Sequence, residues 1–146
     1  MTERQIDYEA VFQSLPTPIL LMTPDLLMVD MNRSYERVSG RSREELLGVR
    51  VFDAFPDNPS EPASTGQSNL AESLRRVVAT GEKNVMPLQR YDVEVSGSVG
   101  KFEERYWCPV NVPVLDADGN VALVLHAVEE VSDLIRKFVE AEAANA

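Results

Sequence analysis

The spacing of hydrophobic positions changes twice along the chain. Over residues 8–15 these positions recur as on one face of a helix, and Pro16 ends the segment. Two short apolar runs follow at 19–22 and 27–31, separated by the turn sequence Thr23-Pro24-Asp25. The start of the chain therefore predicts a helix and then a β-hairpin.

The middle of the chain carries start and stop signals for short helices. Asn32 and Ser42 can each accept a hydrogen bond from a backbone N–H of a first helical turn, and Gly40 and Gly48 follow as helix ends. A short apolar turn at 51–55 comes next. We therefore expect two short helices and a third apolar turn in this region.

A longer helix is predicted after a loop. Residues 55–67 are rich in proline, serine, aspartate and glycine, which is typical of a loop. Asn69 is then expected to cap the helix, with Glu72 placed to complete a capping box, and Gly81 is expected to end it. The apolar stripe of this helix consists of Leu70, Leu74, Val77 and Val78.

After Gly81 the pattern changes to that of strands. Segments 84–95, 102–114 and 121–131 predict three strands, joined by a flexible turn at 96–100 and the tight turn Asp116-Ala117-Asp118-Gly119. Ser132 is expected to cap a terminal helix. This order of elements predicts an α+β domain. Its five-stranded antiparallel sheet carries short helices on one face and is flanked by N- and C-terminal helices.

Charge and cysteine content narrow the choice of compartment and partners. The chain has 146 residues, which suits one domain, and its net charge of −10 disfavours binding to nucleic acid or to anionic membranes. Cys108 is the only cysteine, so no intramolecular disulfide can form. The polar N-terminus does not resemble a signal peptide, and no apolar run is long enough to cross a membrane. The expected compartment is the cytoplasm.

Several stretches resemble PAS domains. "MNRSYERVSGRSREELLG" resembles the helix pair after the second PAS strand, and "PVLDADGNVALVLHAVEEVSDL" resembles the closing strands and exit motif, here Glu130-Val131-Ser132. "VFDAFPDNP", "NLAESLRRVVATG" and "FEERYWCPVNVPVLD" resemble a subgroup found on bacterial sensor histidine kinases and related regulators. The resemblance covers about residues 8–135.

This resemblance implies a curved sheet that cradles a pocket beneath the helices. It also implies signal perception, often through a bound small molecule, and a homodimer formed through the terminal helices. A linked output domain or a partner kinase would lie outside these residues. The expected division is an N-terminal helix at 1–17, a PAS sensor domain at 18–131 and a C-terminal signalling and dimerisation helix at 132–146.

The two faces of strand 102–114 give two interpretations of the pocket. Polarity alone would turn the face with Tyr106, Cys108 and Val110 inward. The PAS register, anchored at Gly119, instead turns Trp107 and its alternate neighbours inward, and we adopt it. The candidate ligand-binding residues are Trp107, Asn111, His126, Val124 and Val128, with Tyr91 or Arg105 near the mouth.

Structural roles compete with ligand binding at these positions. His126 is more often a core histidine, here paired to Asn111 across adjacent strands, and Trp107 is more often a packing residue. Arg105 lies beside Glu103 and Glu104 and suits a surface ion pair.

The residues disfavour the cofactors common among PAS sensors. A flavin photosensor of this family needs a cysteine in the middle helices, and a haem sensor usually presents a histidine from the long helix. Neither residue lies there, so both cofactors are disfavoured, and the cofactor stays unknown. One histidine and one distant cysteine do not make a zinc site.

Three functions remain open. The favoured one is a sensory module that regulates a linked or partner output such as a histidine kinase. A ligand-free assembly domain and a small α+β acid–base enzyme are the alternatives. We expect no enzymatic activity, because His126 has no acidic partner on a matching face and the sequence contains no nucleophile elbow or phosphate-binding glycine loop.

Overall fold

A computed structural model describes residues 4–61, 65–95 and 97–145. The ends of the predicted terminal segments (1–3 and 146), part of the predicted loop (62–64) and the first residue of the predicted turn at 96–100 lie outside the described residues. The helices are α1 (Tyr8–Ser14), α2 (Arg33–Ser39), α3 (Arg43–Leu46), α4 (Val51–Ala54), α5 (Gly66–Thr80) and α6 (Ser132–Ala144). The strands are β1 (Ile19–Met22), β2 (Met28–Met31), β3 (Asn84–Val85), β4 (Gln89–Arg90), β5 (Val93–Glu94), β6 (Phe102–Glu103), β7 (Tyr106–Leu115) and β8 (Val121–Glu130).

The main sheet is antiparallel throughout and has the order β2-β1-β8-β7-β3. β4 also pairs with β7, so β3 and β4 share the fifth position, and β5 and β6 form a separate small hairpin. The predicted α+β fold with helices against an antiparallel sheet is confirmed. The long β7–β8 pair places Asn111 opposite His126 and Trp107 opposite Glu130.

Alternation along β7 and β8 separates a buried face from an outer face. Trp107, Pro109 and Asn111 are buried, as are Val124, His126 and Val128 on the neighbouring strand. The side chain between the first two, Cys108, is exposed. The inward face is therefore the one given by the PAS register and not the one given by polarity alone. The fully buried core beneath it includes Leu20, Met22, Met28, Met31, Leu46, Leu74 and Val77.

Two of the predicted helix starts have the expected caps. Asn32 Oδ1 accepts hydrogen bonds from the backbone N–H groups of Tyr35 and Ile19, both at 3.0 Å, while its amide donates to the Thr17 carbonyl. The residue thus caps α2 and also holds the entry to β1. Ser42 forms a reciprocal capping box with Glu45 at the start of α3.

Two other predicted caps are wrong. α5 begins at Gly66 with Thr65 before it, so Asn69 lies inside the first turn and donates to the side chains of Thr65 and Gln89. Ser132 is the first residue of α6, and its hydroxyl accepts from the backbone N–H of Tyr106 at 2.9 Å. In both cases the side chain that the local sequence pattern predicts as a cap instead forms a hydrogen bond with a residue distant in sequence.

Two predicted long strands are shorter pieces. The expected strand at 84–95 is divided into β3, β4 and β5. The break between β3 and β4 contains Pro87, which has no backbone N–H to donate to β7, and β5 pairs with β6 instead of with β7. The expected strand at 102–114 is divided into β6 and β7, and Arg105 lies in the gap. In the described part of the chain, no helix is long and apolar enough to cross a membrane.

Candidate ligand-binding pocket

A cavity lies between the inward face of β7 and β8 and the helices α2, α4 and α5. Its volume is about 70 Å³, which is room for several water molecules. Most of its wall is apolar or aromatic, and the segment 86–93 contributes one side. The largest side chains in the wall are Tyr35, Phe55, Leu70, Met86, Tyr91 and Trp107.

A directed chain of hydrogen bonds lies behind His126. Its Nδ1 is 2.7 Å from Asn111 Oδ1, and the Asn111 amide donates to Ser73 Oγ at 2.8 Å. The Ser73 hydroxyl in turn donates to Asn84 Oδ1 at 2.6 Å. Because the Asn111 amide nitrogen is already used as a donor, its oxygen must accept from His126. The network therefore assigns the proton of the neutral imidazole to Nδ1 and leaves Nε2 as an acceptor.

His126 is neutral at physiological pH. Burial lowers the pKa of its imidazole from 6.5 to about 4, because the charged form loses its hydration inside the apolar cavity wall. A neutral imidazole bonded to an amide cannot work as one half of a histidine–carboxylate pair. The side chain instead offers the cavity an uncharged acceptor.

Tyr35 faces His126 from α2. The two rings meet edge to face with their centres 6.5 Å apart, and Tyr35 makes a similar contact with Phe55 at 6.2 Å. Burial raises the pKa of Tyr35 above its usual value, so the hydroxyl keeps its proton. Neither Tyr35 Oη nor His126 Nε2 has a hydrogen-bond partner among the residues that the structure describes. We call these two residues the Tyr35–His126 pair.

Tyr91, Asp92 and Trp107 form another part of the cavity wall, which we call the rim, and each of their polar side-chain groups has a hydrogen-bond partner. The Tyr91 hydroxyl donates to the Phe55 carbonyl, and the Trp107 indole N–H donates to the Tyr91 carbonyl at 2.8 Å. Gly66 packs so closely that a Cβ on it would lie 2.6 Å from Tyr91 Cδ2. These contacts fix the position of the Tyr91 ring.

Asp92 gives the rim a buried carboxylate. It accepts hydrogen bonds from Arg90 at 3.0 and 3.1 Å and from the Asn58 amide at 3.0 Å. Burial raises the pKa of this carboxyl, but the bonds from Arg90 and Asn58 outweigh that effect and the net pKa is lowered. Arg90 also pairs with Glu61 and Glu104. The rim therefore carries an ionised group whose charge is already compensated.

The structure brings most of the predicted site residues together. Trp107, His126, Val128 and Tyr91 line the cavity. Asn111 lies behind His126 and reaches it by a hydrogen bond, and Val124 is fully buried in the core.

Arg105 does not reach the cavity wall. Its guanidinium pairs with Glu103 at 2.5 Å and with Glu130, the surface pairing that competed with a role at the pocket mouth. Tyr35 and Asp92 were not predicted as site residues. Tyr35 shares helical spacing with Val38 and Ser39, which also line the cavity, and this spacing is the one sequence signal that could have indicated it. No group of three or more metal-ligating side chains occurs among the described residues.

A family model described as PAS fold matches residues 12–136. The PAS domain of a Colwellia psychrerythraea protein is similar in structure, with a TM-score of 0.67 and 13% identity over 86% of this chain and 95% of that one. A sensory box sensor histidine kinase from Vibrio cholerae gives 0.56 and 17% over 86% and 88%.

An RNA-binding Light-Oxygen-Voltage receptor gives a TM-score of 0.66 and 15% identity over 94% of this chain and 37% of that one. At such low identity these likenesses establish the fold alone. Among curated proteins, no sequence matches the chain.

Proposed function

The chain belongs to the PAS family of signal-sensing modules, and we propose that it senses a small molecule in its cavity and passes the occupancy of that cavity to α6. The observation that carries this proposal is the cavity itself, an aromatic-walled space against the two longest strands. We propose the division into an N-terminal helix at 1–17, a sensor domain at 18–131 and a signalling helix at 132–146.

A short path connects the cavity to the start of α6. Trp107 lines the cavity, and the backbone of the adjacent Tyr106 holds the start of α6 through both its N–H and its carbonyl. Its N–H donates to Ser132 Oγ and its carbonyl accepts from the N–H of Val131. The ion pair of Arg105 with Glu130 holds the end of β8, directly before α6. A ligand that displaces Trp107 would therefore shift the residues that anchor α6.

The outward face of α6 supports a homodimer. Leu134, Phe138 and Val139 are 65%, 64% and 60% exposed, and α1 exposes Tyr8 and Val11. An apolar stripe of this length on a terminal helix is buried when a second copy of the same helix packs against it. We propose that paired terminal helices pass the signal to a linked output domain or a partner kinase.

We also propose that the chain has no enzymatic activity, binds neither flavin nor haem and works in the cytoplasm. The neutral His126 bonded to an amide supports a module without enzymatic activity. The cavity, with a volume of about 70 Å³, is small for a flavin or a haem, and this supports a different ligand. The net charge of −10 supports a protein that binds neither nucleic acid nor membrane, and we propose the cytoplasm as its location.

Ligand binding is tested by native mass spectrometry of gently purified protein, followed by a thermal-shift screen of metabolites. We expect an adduct or a stabilising compound, and binding should change the amide resonances of Tyr106 and Ser132. A protein that binds nothing in either measurement would favour the ligand-free assembly domain.

Dimerisation is tested by light scattering after size-exclusion chromatography. We expect the wild-type chain to be a dimer and Phe138→Glu to be a monomer, because the new charge would be buried in the helix seam. Lys137→Glu, at the neighbouring exposed position, is the matched control and should stay dimeric. A wild-type monomer at all concentrations would contradict the proposal.

A further inference from the structure

We propose that the cavity takes a small, neutral, single-ring molecule that donates a hydrogen bond to His126 Nε2 and accepts one from the Tyr35 hydroxyl. This inference rests on the proposed function, since it names the class of ligand for the same cavity. It depends on the two unpartnered polar atoms of the Tyr35–His126 pair and on the charges around them.

Both residues of the pair are almost completely buried. Tyr35 is 7% exposed and His126 is 6% exposed. Among the described residues, no fully enclosed side-chain nitrogen or oxygen lacks a hydrogen-bond partner. Since neither Tyr35 Oη nor His126 Nε2 has a partner among those residues, each atom must be open to free space, and both residues line the cavity. Unpaired polar atoms in an otherwise apolar wall are the groups that give a ligand its orientation.

The direction of the hydrogen-bond chain decides what the ligand must supply. Asn111 and Ser73 hold the imidazole proton on Nδ1, so Nε2 can only accept. A ligand on this side therefore needs an O–H or N–H group. The Tyr35 hydroxyl can donate, so an oxygen or nitrogen lone pair on the same ligand group would satisfy it. One hydroxyl group on a ring supplies both a donor and an acceptor.

The charges of the cavity favour a neutral ligand. Asp92 is the one ionised group in the described cavity wall, and it repels anions. Its guanidinium partner, Arg90, is already shared with Glu61 and Glu104. A cationic ligand would have to displace Arg90 from Asp92, and an anionic ligand would meet no free positive charge in the described wall. Neutral molecules avoid both costs.

The size of the cavity limits the ligand to about one ring. Its volume of about 70 Å³ is less than the roughly 150 Å³ of an apolar cavity that admits benzene. A single ring therefore enters only if the wall moves outward by a small amount. A larger fused ring system would require the wall to open much further.

Three probes of similar size test this inference by titration calorimetry. Phenol carries the donor and acceptor, toluene has neither, and benzoate is an anion. We expect phenol to bind roughly tenfold more tightly than toluene, because toluene would leave two buried polar atoms unpaired. Benzoate should not bind measurably. Equal affinities for phenol and toluene, or preferred binding of benzoate, would overturn the inference.

Variants that remove each of the two polar atoms locate the effect. Tyr35→Phe and His126→Asn should each reduce the preference for phenol over toluene several-fold. Asn at 126 keeps a donor for Asn111 but lacks Nε2. Tyr106→Phe is the control, because it removes a tyrosine hydroxyl that lies outside the cavity wall and is bonded to Glu104, and it should leave the preference unchanged. Circular dichroism checks that each variant is folded.

The outcomes separate this inference from the proposed function. If none of the three probes binds, the single-ring class is wrong, while a ligand found by mass spectrometry would still support the sensor. If phenol is preferred but Tyr35→Phe and His126→Asn leave that preference intact, the assignment to the Tyr35–His126 pair is wrong. If no compound of any class binds, the sensor proposal fails as well.

Discussion

The rim and the Tyr35–His126 pair differ in whether their polar groups have hydrogen-bond partners. On the rim, the Tyr91 hydroxyl, the Trp107 indole and the Asp92 carboxylate all have protein partners. In the Tyr35–His126 pair, a hydroxyl and an imidazole nitrogen have none among the described residues. Leaving a buried polar atom unpaired costs about 1–3 kcal/mol, so such atoms are stable only if water or a ligand meets them. The hydrogen bonds of the rim therefore contribute to stability, whereas the polar atoms of the Tyr35–His126 pair are available to a ligand.

This difference separates stability from recognition within one cavity. Changes to the bonded groups should lower the free energy of unfolding whether or not a ligand is present. Changes to the Tyr35–His126 pair should alter binding more than stability.

Asn111→Ala should be the most damaging change. It removes the acceptor of His126 Nδ1 and the donor to Ser73, and it leaves a hole at a fully buried position. We expect a loss of roughly 3–4 kcal/mol in the free energy of unfolding, measured by urea denaturation. Asn69→Ala, at an exposed amide, is the control and should change it by less than about 0.5 kcal/mol. Equal effects of the two substitutions would show that the buried hydrogen bonds of Asn111 are unimportant for stability.

His126 should make the folded state sensitive to acid. Its pKa is 6.5 when unfolded and about 4 when buried, so between these pH values the unfolded chain binds a proton that the folded chain does not. Stability is therefore complete above pH 6.5 and falls as pH is lowered towards 4, by about 1.4 kcal/mol per pH unit and roughly 3 kcal/mol in all.

The carboxylates also titrate in this range, so the measurement compares wild type with His126→Asn. The difference in unfolding free energy between the two proteins should change with pH across this window and be constant above it. Parallel pH profiles would show that the imidazole is already protonated or solvated in the folded state. Because the chain has one histidine, nitrogen NMR of labelled protein also reports the Nδ1–H tautomer without overlap.

Gly66→Ala tests the rigidity of the rim. The added Cβ would lie 2.6 Å from the Tyr91 ring and 2.9 Å from the Arg90 carbonyl oxygen, so backbone must move. Overpacking of this kind costs about 2 kcal/mol, which exceeds the gain of about 1 kcal/mol or less from the better helix propensity of alanine. Thermal unfolding should show a net loss. Ser68→Ala, exposed in the same helical turn, is the control.

Much of the fold and the wall formed by strands follows from periodicity in the sequence. The tight turn at Gly119 fixes the register of β7 and β8, and two-residue alternation then places Trp107, Asn111 and His126 on one face. Asn32 and Ser42 are caps because their bonds are local. Features that depend on nearby residues are therefore predictable.

The remaining features depend on residues far apart in the chain. Ser132 bonds to Tyr106 and Asn69 bonds to Gln89, so local capping rules fail at both positions. Tyr35 belongs to the site because its ring meets that of His126 on β8, and the helical spacing within α2 does not by itself specify that contact. The unpaired state of its hydroxyl is a property of the whole cavity, which explains why the sequence did not indicate this residue.

The smallest predicted effect distinguishes the two tyrosines of the cavity wall. Tyr91→Phe removes a hydrogen bond to the Phe55 carbonyl and should cost about 1 kcal/mol of unfolding free energy. Tyr35→Phe removes a hydroxyl without a partner among the described residues, so it should leave the ligand-free protein unchanged within about 0.5 kcal/mol or stabilise it slightly. Both substitutions delete one oxygen from a tyrosine in the same wall, which makes them matched controls for each other. Thermal and urea unfolding of both variants, without ligand, measure the difference. If Tyr35→Phe were as destabilising as Tyr91→Phe, the Tyr35 hydroxyl would already be satisfied in the empty protein, and it would no longer be available to recognise a ligand.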